Sequence, residues 1–191
     1  MEAAERAINE HGISGMRISQ VAAIAGCTRQ NIHRYYATKK DLVEAVLTHR
    51  SKRLSEQVHI RLSDREDPFE RLIDGVMIAA DIAAADHYIQ SYYSGASADQ
   101  MLRFITDSPS LRTAIGPVID QAVARLSDRL RPGVEDGEVT DWIFQLFTTE
   151  LLWSLTSNRS PDQRRRDLRL LAASPFSDID LAISPQSPKN L

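Results

Sequence analysis

The sequence predicts an all-α chain: a small N-terminal three-helix head, joined by a long fourth helix to a larger helical body. Three observations carry that prediction. Residues 17–41, RISQVAAIAGCTRQNIHRYYATKKD, have the spacing of two short helices about a tight turn. Elsewhere apolar residues recur at intervals of three and four, with no convincing alternating strand. The stretch 141–155, DWIFQLFTTELLWSL, is apolar almost all round a helical wheel, which suits a helix buried on most sides.

Taken in order, the first helix is expected over 2–11, where Ala3, Ala4, Ala7 and Ile8 share a face, with Gly12 as its stop. Helices over 18–25 and 29–35 follow. Ala22 is small enough to let a second helix pass close by. Gly26 can take the positive φ of a tight turn, and Thr28 can cap the next helix through its hydroxyl. Val21, Ala25, Cys27, Ile32 and Tyr35 then close the core between the two helices, with Tyr36 also assigned to the core. This is the spacing of a helix-turn-helix, whose second helix enters the major groove of DNA.

Thr38 is placed to cap a long helix whose apolar positions Leu42, Val43, Val46, Leu47 and Leu54 carry it to about Leu62. SDREDP, 63–68, ends the pattern with three acids and a proline. The body then reads as helix over 68–85, an aromatic stretch over 86–95 and a short piece over 99–106. A long helix over 110–130 ends at Arg131-Pro132-Gly133, and helices over 138–157 and 161–173 complete it. From Ser174 onward, prolines and serines predict a loose tail. The expected division is a head over 1–47 that includes the start of the linking helix, a body over 48–173, and a tail over 174–191.

Composition is that of an ordinary globular chain, with 42% hydrophobic residues and no apolar run near the roughly 20 residues of a membrane span. With no signal-peptide pattern and a single cysteine, Cys27, a cytoplasmic protein without an intramolecular disulfide is expected. Cys27 is assigned to the small core. The net charge of −3 hides an asymmetry: residues 1–60 hold nine Lys and Arg against six Asp and Glu, a formal +3, which leaves −6 for the rest. A basic head on an acidic body suits a head that meets phosphate.

These features resemble the TetR family of one-component transcriptional regulators, most closely over residues 1–47. AAERAINEHG is similar to the family's first helix and its closing glycine, and ISQVAAIAGCTRQNIHRYYATKKDL to its helix-turn-helix and the start of the fourth helix. Ala25-Gly26-Cys27-Thr28 stands where the family has A-G-V-S. Ile32-His33-Arg34-Tyr35-Tyr36 stands where it has L-Y-x-H-F or L-Y-x-Y-F, and Lys39 precedes Leu42 as the family's lysine precedes an apolar residue. Two positions depart. His33 replaces a tyrosine that reaches a DNA phosphate, and Arg17, with Ser19 two residues on, replaces the Ser or Thr that opens the second helix. The family also carries basic residues ahead of the first helix, whereas this sequence starts almost at the helix itself.

The resemblance implies a homodimer paired through its last two helices and a small-molecule effector held in the body. It also implies a palindromic double-stranded DNA operator, read by two heads roughly 34–36 Å apart. A repressor released by its effector is the expected function, with the fourth helix carrying the motion between body and head. The departures leave a second class open: a ligand-binding or protein-interaction dimer whose head no longer reads DNA.

Residue chemistry divides the head contacts. Thr28, Arg29, Gln30 and Asn31 lie in the first turn of the recognition helix, where Gln and Asn can pair with adenine and Arg with guanine. Arg17, Ser19, His33, Arg34, Tyr35 and Lys39 are better placed for phosphates. In the body Met77, Tyr88, Tyr92, Met101, Phe104, Phe147 and Trp153 are candidate ligand-lining residues, although core packing is the commoner role of such side chains. Glu150 is more pointed, because it falls between Ile143, Leu146 and Phe147 on the wheel, where a carboxylate is costly unless paired. Either it meets an arginine across the dimer, the favoured reading, or it orients a polar group of the ligand. No second ligand stands at metal spacing from His87 and Asp86. With no phosphate loop, nucleophile elbow or paired-carboxylate site, neither an enzyme nor a cofactor is indicated.

Overall fold

The computed structural model describes residues 1–62, 66–86, 90, 109–177 and 179, and its regular structure among these is eight α-helices and one 3-10 turn. α1 (Glu2–Gly15) buries Ala4, Ala7 and Ile8. Gly12, at φ 68°, breaks α1 where a stop is expected, and one further turn follows before Met16 enters the core. α2 (Ile18–Ile24) and α3 (Arg29–Tyr35) flank the predicted turn, with Gly26 at φ 64°. Thr28 Oγ1 accepts the Asn31 N–H at 3.2 Å, the cap expected of it.

α4 (Lys39–Arg61) begins with a reciprocal cap. Thr38 Oγ1 accepts the Asp41 N–H at 3.1 Å, and Asp41 Oδ2 accepts the Thr38 N–H at 2.8 Å. The head core joins Ala4, Ala7, Ile8 and Met16 to Val21 and to Leu42, Val46 and Leu47 of α4, with Ile32 and Tyr36 packed at its edge. Three expected core members lie outside it: Tyr35 is 69% exposed, Ala25 faces solvent, and Cys27 is only half-buried in the turn. The chain leaves the helix at Tyr36, which is extended at φ −133°, and that change of direction brings Tyr36 inward in place of Tyr35.

The body opens with α5 (Pro68–Ala85), where Asp67 Oδ1 accepts the Phe69 N–H at 2.7 Å and Pro68 occupies the first turn. α6 (Pro109–Ala124), the 3-10 turn Ser127–Arg129, α7 (Asp136–Thr156) and α8 (Pro161–Ala172) follow. The helix expected over 110–130 thus ends six residues sooner, and the turn that replaces its end sends Leu126 fully into the core. α5 packs along α7 and α4 along α6, while α8 contacts both α5 and α7. Phe69, Ile73, Val76, Leu126, Ile143, Leu146 and Leu168 centre the body core.

The expectation of a loose tail from Ser174 fails at its start. Phe176 is 1% exposed, and its ring meets Phe69 edge-to-face at 5.7 Å between centroids. Arg131 holds the segment by two donations, backbone N–H to Pro175 O at 3.0 Å and Nε to Phe176 O at 2.9 Å. Among the described residues no helix is long and apolar enough to cross a membrane.

Candidate functional site

The packing of α3 on the head leaves one side of the helix open. Ile32 turns to the core, while Thr28, Arg29, Gln30, Asn31, Arg34 and Tyr35 are exposed and His33 is half-buried. Arg17 and Ser19 are exposed at the start of α2. From residue 11 to residue 40 the sequence holds Arg17, Arg29, Arg34, Lys39 and Lys40 and no Asp or Glu. A polyanion approaching α3 therefore meets cations and neutral polar groups over this stretch.

The candidate DNA residues are not equally free. Lys39 Nζ donates to Ser14 O at 2.9 Å, which ties the start of α4 to the end of α1. Arg34 stacks on the Tyr35 ring at 5.1 Å and donates to Tyr35 Oη at 3.0 Å, so these two present a joined polar and aromatic surface. Arg29 Nε is 3.2 Å from His33 Nε2, and His33 Nδ1 is 3.2 Å from Ala37 O. At the opening of α2 no side-chain oxygen of residue 17 is available. Gln20 Oε1 takes the Arg17 N–H instead, at 2.7 Å, a substitution that the serine-or-threonine pattern does not flag.

In the body, a cleft of about 170 Å³ opens between α4, α5, α6 and α7. Leu54 and Val58 of α4, with Leu62 just past its end, form one wall, facing Leu72, Val76 and Ala79 of α5. Ile119 and Ala122 of α6 and Ile143 and Phe147 of α7 complete the apolar lining. Ser55, His59, Arg71, Gln121 and Arg125 supply its polar groups. Of the four ligand candidates among the described residues, Met77, Phe147, Glu150 and Trp153, only Phe147 lines this cleft. Met77 packs against the body core, and Trp153 lies under the Arg159 guanidinium at 4.4 Å. Tyr88, Tyr92, Met101 and Phe104, like His87, lie outside the described residues. The α4 wall was the signal missed: Leu54, Val58 and Leu62 recur every fourth residue beyond the part of α4 that the head uses.

Glu150 is fully buried, and it is paired with an arginine of its own chain, where the sequence favoured one across the dimer. Arg164 of α8 donates Nε to Glu150 Oε1 at 2.6 Å and Nη2 to Asp81 Oδ1 of α5 at 2.7 Å. Burial pushes the Glu150 carboxyl above its usual range, and the Arg164 hydrogen bond only partly opposes this. Arg164 thereby joins α8 to Glu150 of α7 and to Asp81 of α5. Among the described residues no three His, Cys, Asp or Glu side chains gather as a metal site.

Comparison with known proteins agrees with this geometry. Residues 1–46 match the model of "Bacterial regulatory proteins, tetR family". The HTH-type transcriptional repressor SCO4008 of Streptomyces coelicolor is 37% identical over 73 residues, which is 38% of this chain and 38% of that protein. The match spans only part of such curated relatives, 36% of one Mycobacterium tuberculosis regulator and 52% of another, AlkX. Two solved structures share the fold over most of both chains. The fatty acid degradation regulator FadR from Bacillus halodurans has a TM-score of 0.62 at 16% identity, covering 90% of each chain. FadR from Bacillus subtilis, crystallised with stearoyl-CoA, has a TM-score of 0.60 at 17% identity, covering 92% of this chain and 97% of its own. The head, residues 1–46, thus matches the TetR family, and the helical fold as a whole is shared with the two FadR structures.

Proposed function

We propose that this chain is a homodimeric transcriptional repressor that reads a palindromic DNA operator through α3 and is released by a small molecule bound in the body. The observation that carries the proposal is the open face of α3: Arg29, Gln30 and Asn31 stand exposed in its first turn, on a head with its own apolar core. Those three side chains suit base edges, while Arg17, Ser19, Arg34, Tyr35 and Lys39 flank them as phosphate partners. The proposed division into a head over 1–47 and a body from residue 48 is supported by two separate apolar clusters, the second of which reaches past 173 to Phe176.

The cleft between α4 and α7 is the proposed effector site. Its mostly apolar walls and its Arg71, Arg125, His59 and Gln121 groups suit a largely apolar molecule with one polar or anionic end. The stearoyl-CoA of Bacillus subtilis FadR is a molecule of that kind held by the same fold. Leu170 and Leu171 of α8 are 49% and 38% exposed, an apolar surface that a second copy would cover in pairing through α7 and α8. Repression ends when the effector favours a body conformation that moves the two heads off their groove-to-groove spacing.

The test is selection of the protein against a random duplex library at two salt concentrations. An enriched inverted repeat, bound more weakly at high salt, is expected. Sequence-blind binding, or none, would refute the proposal. Replacing Gln30 and Asn31 by alanine should then abolish selectivity and leave a folded dimer, because neither side chain is buried.

A further inference from the structure

His33 has both ring nitrogens engaged, one by Arg29 at the start of α3 and one by Ala37 just beyond its end. Ala37 O, 3.2 Å from Nδ1, can only accept, and Arg29 Nε–H, 3.2 Å from Nε2, can only donate. Together they assign the tautomer: the proton sits on Nδ1 and the lone pair on Nε2. In that form the ring keeps no N–H to give to a phosphate, the role first expected of this residue. Its two contacts instead tie the end of α3 to a side chain at the start of α3, one turn back.

What is held matters as much as how. Arg29 is exposed, and among the described residues its Nε is the atom shown engaged. The two terminal nitrogens remain, carrying four N–H groups in a fixed plane. A guanine presents O6 and N7 side by side in the major groove and is the base that such a pair fits. An arginine side chain that is free in solution loses much rotamer freedom when it docks. One already anchored at Nε loses less, and its plane is set before the DNA arrives.

We propose that His33 is a positioning residue, which fixes Arg29 so that it reads a guanine in each operator half-site. This inference rests on the DNA-reading function proposed above. It replaces a contact that would grip any sequence with one that selects among sequences.

Library selection with the wild type, Arg29→Ala, His33→Ala and His33→Gln tests it. In the wild type one position of each half-site is expected to be guanine, and Arg29→Ala should erase that preference. His33→Ala should weaken the same preference by roughly fivefold or more, leaving other positions and the salt dependence of binding unchanged. His33→Gln, which retains an acceptor and a donor, should restore part of it, and this separates positioning from simple damage to the fold. Imidazole nitrogen-15 spectra of the free protein should report the Nδ1–H tautomer.

If His33→Ala instead weakens all sequences alike and lowers the salt slope by about one, His33 is a phosphate contact and the inference falls. It also falls if the guanine preference survives His33→Ala, or if the ring proton is on Nε2. A wild type that enriches no motif overturns the DNA-reading proposal itself and this inference with it.

Discussion

Arg164 Nε lies 2.6 Å from Glu150 Oε1, which sets a fully buried carboxylate of α7 against a guanidinium of α8. Burial raises the Glu150 pKa above the usual value of about 4.3. The native chain therefore holds this proton more tightly than the unfolded chain does. The resulting stabilisation is full below the usual value and is lost as pH rises through the raised one. Glu150→Gln removes that dependence. Urea unfolding of both proteins across the acid range should show wild-type stability declining relative to the variant over that interval; a constant difference would refute the prediction.

Removal of the arginine is a different matter. Arg164→Ala leaves the Glu150 charge buried without its guanidinium and should cost about 3 kcal/mol or more. Arg159→Ala, which removes an exposed partner of Trp153 and Asp167, should cost less than about 1 kcal/mol. Denaturant midpoints of the two variants give the comparison directly.

Arg50 touches both head and body. Its guanidinium donates to Asp86 Oδ1 at 2.5 Å, at the end of α5, and to Asn9 Oδ1 of α1 at 3.4 Å. Arg50→Ala should leave effector affinity of the free protein close to wild type while shrinking the effector's influence on operator affinity. Titrations of effector with and without operator measure that coupling, and an unchanged coupling would show that Arg50 carries none of it.

Phe176 fills space beside Phe69 that no other described side chain occupies in the same edge-to-face manner. Phe176→Ala should destabilise the body by about 3–5 kcal/mol, as large-to-small changes do in a packed core. Calorimetry of that variant and of a chain ending at residue 173 should give losses of similar size. A tail without structural weight would give neither.

Gly26 takes φ 64°, and nothing lies within 4 Å of where a Cβ would stand. Gly26→Ala should therefore cost about 1–2 kcal/mol through backbone strain alone, with no clash. A crystal structure of the variant with an unmoved turn, together with that loss in a thermal melt, is the expected pair of results.

The head was legible because its signals are local. A glycine at positive φ, a threonine followed by an aspartate three residues on, and an apolar face on α4 each act within a few residues. The body was legible as helices but not as a site. The cleft is assembled from four helices, and no spacing within one of them announces that Val58, Val76, Ile119 and Ile143 face a common space. Glu150 was recognisable as a buried carboxylate in need of a partner, but not the direction from which Arg164 arrives, which depends on the chain reversal after Thr156. Phe176 was hidden by its neighbours, since a proline and serines around one aromatic read as tail until Leu130 and Arg131 are seen beside it.

α4 serves two structures with its two ends. Leu42, Val46 and Leu47 belong to the head core, and Leu54, Val58 and Leu62 form a wall of the cleft. Its 23 residues make a rigid arm of about 34 Å. Pivoted at the cleft end, a tilt of about 5° sweeps the far end through about 3 Å, close to the rise of one base pair. On the proposed function, a molecule that shifts Val58 by less than the width of a methyl group would work at a mechanical advantage, and two such arms in a dimer would misalign a pair of recognition helices at once.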